Sequence, residues 1–255
     1  MSPRALVLRA PGTNCDEETV VAWERAGASV QVGHIGRLLA DPKMLDGFQT
    51  LTIPGGFSYG DDLGAGRIFA SRLGTALSDA LGRFRDRGGL VLGICNGFQV
   101  LVRAGLLPGG THAGAVTLAR NLSGKFEARW VKLRPLGSKT PFLADDEPIE
   151  LPVAHGEGRF LTGDPSATEA LDRAGQIVLK YVDDQNHPTS EYPSNPNGSS
   201  MAAAGVCDAT GRVFGLMPHP ERFVDPFHHP RWTRRGPRAE GDGLRIFRNA
   251  VKSLS

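Results

Sequence analysis

The chain has 255 residues, 40% hydrophobic and 22% charged, which suits one large soluble α/β domain or two small ones and names no function. Its 29 basic and 27 acidic side chains leave a formal charge of +2, so no overall field points to nucleic acid or an anionic membrane as partner. Cys15, Cys95 and Cys207 are an odd set without metal-ligand spacing, so neither a disulfide framework nor a metal site is indicated.

No apolar run approaches a membrane span, and residues 1–4 lead directly into an apolar strand rather than a signal sequence, so a cytoplasmic protein is expected. Residues 5–8 form that strand, and Pro11-Gly12-Thr13-Asn14 can turn the chain and cap the next helix. The helix spans 16–26 with Gly27 as its stop; a strand at 29–32, a short interrupted helix at 37–45 and a strand at 50–53 follow. Strands alternating with helices imply a parallel sheet with right-handed crossovers. A glycine-dense loop then occupies 54–66, at the carboxyl end of a strand, where open α/β folds hold ligands. Phe69, Leu73, Leu77, Ala80 and Phe84 mark one face of a long helix that stops at Gly88-Gly89. Beyond Gly105 the pattern changes to strands at 115–119, 129–133, 149–154 and 177–182 with no strong helix between them. The expected fold is therefore α/β, an open, mostly parallel sheet with helices on both faces and an antiparallel, strand-rich extension, in a single domain over 1–255. Residues 226–243, rich in proline, glycine and arginine, read as a long irregular loop, and 244–254 as a closing helix.

Two stretches carry chemistry. Gly93-Ile94-Cys95-Asn96-Gly97 follows an apolar strand and opens an amphipathic segment, with the spacing of a nucleophile elbow. Cys95 is expected to stand exposed at a helix N-terminus, where the positive end of the dipole favours the reactive thiolate. The elbow alone leaves open a buried cysteine that merely fills space. The second stretch, Pro218-His219-Pro220-Glu221, ends the apolar run 213–217 and supplies an imidazole with a carboxylate two residues on. If that run is a strand beside the elbow, His219 can face Cys95 while Glu221 orients the ring, which is the logic of a triad. His228-His229 lacks such a carboxylate and ranks below it.

Gly93-Ile94-Cys95-Asn96-Gly97-Phe98-Gln99 together with Pro218-His219-Pro220-Glu221 resembles the class I, or triad, glutamine amidotransferases, with their flavodoxin-like sheet. Pro54-Gly55-Gly56-Phe57-Ser58-Tyr59-Gly60-Asp61, His155-Gly156-Glu157-Gly158-Arg159 and Asn195-Pro196-Asn197-Gly198-Ser199 narrow the resemblance to the glutaminase subunits of phosphoribosylformylglycinamidine synthase, from purine biosynthesis. The resemblance implies Cys95 as nucleophile, His219 as base and Glu221 as its orienting partner. It implies the backbone N–H groups of Gly56 and Asn96 as the oxyanion hole, and Gln99, His155 and Glu157 as glutamine-binding or pocket-shaping residues. Cys15 lacks a neighbouring base in the sequence and is expected to be structural or interfacial, and Cys207 to be core. The stretch 195–199 has turn composition, with an interface or pocket loop implied by the family match.

The sequence contains no Gly-x-x-x-x-Gly-Lys-Ser/Thr loop, so ATP and Mg²⁺ are expected in a partner and no cofactor in this chain. The family implies a large synthetase subunit and a small accessory subunit as partners, with glutamine as substrate. A chain of this length starting at Met1 fits a separate subunit rather than a fusion. The alternatives are a stand-alone cysteine hydrolase of the same fold and a non-catalytic binding module.

Overall fold

Two neighbouring parallel strands of the chain's main sheet are buried on both sides, which requires helices over both faces. In the computed structural model, which describes residues 2–61, 64–110, 114–137, 139–236 and 238–254, β3 (Thr50–Ile53) and β4 (Leu90–Ile94) are buried at every position. Met1 and residues 62 and 63 of the glycine-dense loop lie outside the described residues. β1 (Arg4–Arg9) and β2 (Ser29–His34) complete the N-terminal half, and β11 (Val213–Leu216) joins β4 in parallel from the far end of the chain. The order β2-β1-β3-β4-β11 is that of a flavodoxin-like sheet. It continues through β10 (Ala203–Cys207), β9 (Ile177–Tyr181), β6 (Glu127–Pro135) and β7 (Ile149–His155), all antiparallel to their neighbours, making nine strands. β5 (Val116–Arg120) and β8 (Glu157–Thr162) pair separately.

Two groups of helices cover the sheet. α1 (Asp16–Ala26) packs on β1, β2 and the C-terminal α8 (Leu244–Ser253), whereas α5 (Asn96–Arg103) packs on β3, β4, β11 and α3 (Arg67–Ala76). Trp23 of α1 meets Phe247 of α8 edge-on at 5.1 Å, and its indole N–H donates to Thr52 Oγ1 at 2.8 Å. That bond satisfies two polar groups the packing would otherwise leave buried and alone. No helix among the described residues is long and apolar enough to cross a membrane.

Several expectations need correction. The single long helix is two, α3 and α4 (Ser78–Asp86), separated at the fully buried Leu77 with φ −121° and ψ 1°. The break lets α3 lie on α5 while α4 meets the 3-10 helix Pro42–Gly47, two partners one straight helix does not reach. The interrupted helix is α2 (Ile35–Ala40) followed by that 3-10 helix, with Asp41 capping Lys43 N–H at 3.2 Å. α1 is capped by Cys15 without a side-chain bond, while Thr13 instead closes the preceding turn onto Ala10 N–H. Three acidic residues in its first turn offset the missing cap through the helix dipole. A helix was missed between the later strands, α6 (Pro165–Arg173), although Asp164-Pro165-Ser166 carries its cap: Asp164 accepts from Ser166 N–H at 2.9 Å. The arginine-rich loop holds a 3-10 turn at Pro226–His228 and a short helix, α7 (Trp232–Arg235).

One close approach fixes how α5 leaves the sheet. A Cβ on Gly97 would stand 1.9 Å from the Ile53 carbonyl oxygen, whereas a Cβ on Gly82 in α4 meets nothing within 4 Å. Gly97→Ala is therefore expected to destabilise by about 2 kcal/mol or more, and Gly82→Ala to stabilise by about 0.5–1 kcal/mol. Thermal unfolding of the two variants should show shifts of opposite sign; a Gly97→Ala protein as stable as wild type would contradict the packing described.

Candidate active site

Three neighbouring parallel strands end at one place. β3 runs into Gly55-Gly56, β4 into Cys95 and β11 into His219, so their carboxyl ends converge without any long-range contortion of the chain. Cys95 adopts φ 50° and ψ −103°, a strained backbone for a residue with a Cβ. Its N–H is held by the Leu216 carbonyl of β11 at 2.8 Å, and Gly93 and Gly97 on either side are packed too closely for any side chain. The strand, turn and helix expected at the elbow are all present. The thiol is not exposed, however: Cys95 is 6% accessible and faces a cavity of about 330 Å³, donating to the Ala154 carbonyl at 3.7 Å.

His219 lies on the wall of the same cavity, buried, with Nδ1 2.6 Å from Glu221 Oε1. Nε2 has no hydrogen-bond partner, which leaves it available to a group in the cavity. A Cβ on Gly55 would come within 2.8 Å of the His219 ring, so only glycine admits the imidazole at this distance. Burial works against a charged imidazole here. The Glu221 carboxylate, the Cys95 sulfur and the Cys15 sulfur outweigh it and hold His219 well above its ordinary value.

The expectation that Cys15 lacks a neighbouring base fails. Its sulfur, a His219 ring nitrogen and a Glu221 oxygen lie within 4.8 Å of one another, so the thiol does have a base beside it. It donates to Asn14 Oδ1 at 3.3 Å and accepts from Arg222 Nη2 at 3.1 Å, and burial pushes the thiol up. These three are the grouping of metal-ligand atom types among the described residues, but the Arg222 guanidinium already fills the position of a cation against the sulfur. Gly12 to Cys15 also brace the oxyanion candidate: Phe57 N–H bonds the Gly12 carbonyl at 3.0 Å and Thr13 bridges Gly56.

The other candidates divide. Gly56, Gln99, His155 and Glu157 line the cavity. Gln99 is buried rather than exposed, and both ends of its amide are engaged: Oε1 accepts from Asn96 Nδ2 at 3.0 Å and Nε2 donates to the Glu157 carbonyl. Asn96 uses its side chain on the glycine-dense loop, accepting from Ser58 N–H at 3.2 Å and donating to Asp61 Oδ1 at 3.2 Å. Burial pushes His155 down to about 4, with its Nδ1 3.1 Å from Asn121 Oδ1. Asn195, Asn197 and Ser199 do not line the cavity; they are buried behind it, and Asn197 Nδ2 holds the Gly158 carbonyl at 2.9 Å. Cys207 is core, its thiol pushed up to about 12 by burial and the Asp208 carboxylate. Three arginines of the arginine-rich loop pair with acidic residues of the same chain, Arg231 and Arg235 with Glu150 and Arg238 with Asp242, and none of them lines the cavity.

The chain resembles known proteins throughout its length. Residues 2–253 match the family model of the CobB/CobQ-like glutamine amidotransferase domain. A protein of Dehalococcoides mccartyi named phosphoribosylformylglycinamidine synthase subunit PurQ is 49% identical over 252 residues, covering 98% of this chain and 96% of its own. A protein of the same name from Methanococcus maripaludis is 40% identical over 264 residues, covering 98% and 97%. The solved structure of PurLQS from Thermotoga maritima contains a chain that superposes with a TM-score of 0.76 at 35% identity, with complete coverage of both chains. A glutamine amidotransferase of Methylobacillus flagellatus, at 18% identity and a TM-score of 0.51 over 99% of this chain and 93% of its own, shares the fold. By these matches the chain belongs to the CobB/CobQ-like glutamine amidotransferase domain family and, within it, to the phosphoribosylformylglycinamidine synthase PurQ subunits.

Proposed function

We propose that this chain is the glutaminase subunit of a phosphoribosylformylglycinamidine synthase. It releases ammonia from glutamine for a separate ATP-dependent subunit that converts formylglycinamide ribonucleotide to formylglycinamidine ribonucleotide. The observation that carries this reading is the meeting of a strained Cys95 with the buried His219–Glu221 pair on one cavity, in a chain belonging to the PurQ family.

Cys95 attacks the side-chain amide carbon as a thiolate, its proton held on His219. The tetrahedral oxyanion is received by the backbone N–H groups of Gly56 and Asn96, the latter at the first turn of α5. His219 then gives its proton to the departing nitrogen, ammonia leaves and a glutamyl thioester remains on Cys95. Water, deprotonated by His219, attacks the thioester, and glutamate departs as the thiolate returns. Glu221 keeps the imidazole oriented throughout, which its burial and short bond to Nδ1 support. Gln99, His155 and Glu157 shape the glutamine pocket, Gln99 by bracing the wall rather than by reaching the substrate.

The partners are a large synthetase subunit and a small accessory subunit, supported by the Thermotoga maritima structure of PurLQS. ATP and Mg²⁺ belong to the synthetase partner. We read residues 1–255 as one domain, since the nine-stranded sheet draws its strands from both halves of the chain. Three free thiols support a reducing, cytoplasmic setting.

In the assembled complex, Cys95→Ser should abolish glutamine-dependent synthesis while ammonia-dependent synthesis persists, because the chain supplies only ammonia. Loss of both in a correctly assembled complex would overturn this division of labour. Glutaminase turnover of His219→Ala should fall about as far as that of Cys95→Ala, and Glu221→Ala should retain about ten- to a hundredfold more activity, since it leaves the base present but poorly held. Wild-type turnover in His219→Ala would remove the histidine from the mechanism.

A further inference from the structure

The cavity has an acidic part that the hydrolytic steps leave without a task. Asp61 and Glu157 both line it, and Arg103 Nη2 stands 3.8 Å from Glu157 Oε2. Two carboxylates against one guanidinium leave that wall one negative charge in excess. Asp61 is also held in place with care: Tyr59, Gly60 and Asp61 all have positive φ, at 57°, 72° and 53°. Oδ1 of Asp61 closes this turn by accepting from Gly66 N–H at 3.0 Å and Asn96 Nδ2 at 3.2 Å. Its other oxygen, Oδ2, has no partner among the described residues. Burial raises this carboxyl and the nearby Glu157 charge raises it further, so an incoming cation relieves both effects.

A second, independent observation comes from His155, which is 3% accessible and lines the same cavity. Asn121 spends its Nδ2 donors on the Lys125 and His155 carbonyls, at 2.9 and 2.8 Å, so its Oδ1 is an acceptor. The hydrogen between Asn121 Oδ1 and His155 Nδ1 must therefore sit on the histidine. With the ring neutral, Nε2 is a bare lone pair, buried and without a partner. The unpartnered polar atoms of this wall, Asp61 Oδ2 and His155 Nε2, are thus acceptors, and the Glu157 carboxylate beside them is shared only with Arg103 at 3.8 Å. An occupant that satisfies them brings several N–H donors and a positive charge.

We propose that Asp61, supported by Glu157, receives the α-ammonium group of the substrate and so selects free glutamine over amides that lack that group. This rests on the glutaminase reading and deepens it by naming what the pocket recognises at the end of glutamine remote from Cys95. The amide carbon and the α-carbon are three bonds apart, and Cys95, Asp61 and Glu157 all line the one cavity.

The test compares glutamine with glutaramate, the same molecule with hydrogen in place of the α-ammonium group. Ammonia release is measured for the chain assembled with its synthetase subunits. The wild type should prefer glutamine by about ten- to a hundredfold in kcat/KM, the range of a hydrogen bond to a charged group. Asp61→Asn keeps Oδ1 as acceptor for Gly66 and Asn96, and should shrink that preference by about tenfold. Glu157→Gln should shrink it by a smaller factor, and provides a second reading should Asp61→Asn fold poorly. A preference as large in Asp61→Asn as in wild type, with both substrates slowed alike, would reduce Asp61 to holding the loop and overturn the proposal. A wild type indifferent to the α-ammonium group would overturn it too. Release of ammonia from neither substrate by the wild type would instead overturn the glutaminase reading.

Discussion

The arrangement depends on a cysteine forced into a backbone conformation that only close packing sustains. A positive φ at a residue with a side chain costs about 1–2 kcal/mol, and Cys95 stays there because its neighbours leave no alternative. Its N–H is tied to β11, the glycine before it is pressed against Leu101 and the Gly97 carbonyl, and the glycine after it lies on the Ile53 carbonyl. The same contacts place the first turn of α5 beside the end of β3. The site's nucleophile and both proposed oxyanion donors are thus positioned by one packing event between two adjacent strands and one helix. This is preorganisation, and its cost is met when the sheet forms rather than when substrate binds.

The base is positioned by a different force. His219 and Glu221 are both removed from water, and an imidazole alone in such a place would be neutral. Glu221 at 2.6 Å and the two sulfurs nearby reverse that tendency and favour the protonated ring, the form that delivers a proton to a leaving amine. A few residues away along the cavity wall, His155 has no such carboxylate and is held neutral by burial. The same residue type is therefore pushed in opposite directions within one cavity, and the carboxylate at short range makes the difference.

The parts of this protein that were legible in its sequence are those set by local pattern. The buried runs of β3 and β4, the glycines of the elbow and the His219–Glu221 spacing each follow from short-range rules, and the structure brings them together as those rules require. What escaped depends on contacts between distant segments. Cys15 lies about eighty residues before the elbow and some two hundred before His219, and no periodicity announces that its sulfur sits beside that ring. The break at Leu77 exists because α3 and α4 have different partners, although an unbroken apolar face runs through both. Residues 226–243 read only as a long irregular loop, and the pairing of its arginines with Glu150 and Asp242 of the same chain could not be read from the sequence. The helix α6 is a different kind of omission, since its Asp-Pro-Ser start was visible and only its thin apolar face concealed it.

Two thiols in one cavity give the central claim its most direct test. A diazoketone analogue of glutamine should alkylate the thiolate that attacks substrate, and mass mapping of the labelled peptides distinguishes Cys95 from Cys15. The strained elbow and the base beside it require the label on Cys95, with inactivation in step with labelling and glutamine protecting against both. A label on Cys15, or a fully labelled Cys95 in a protein that still hydrolyses glutamine, would contradict the account.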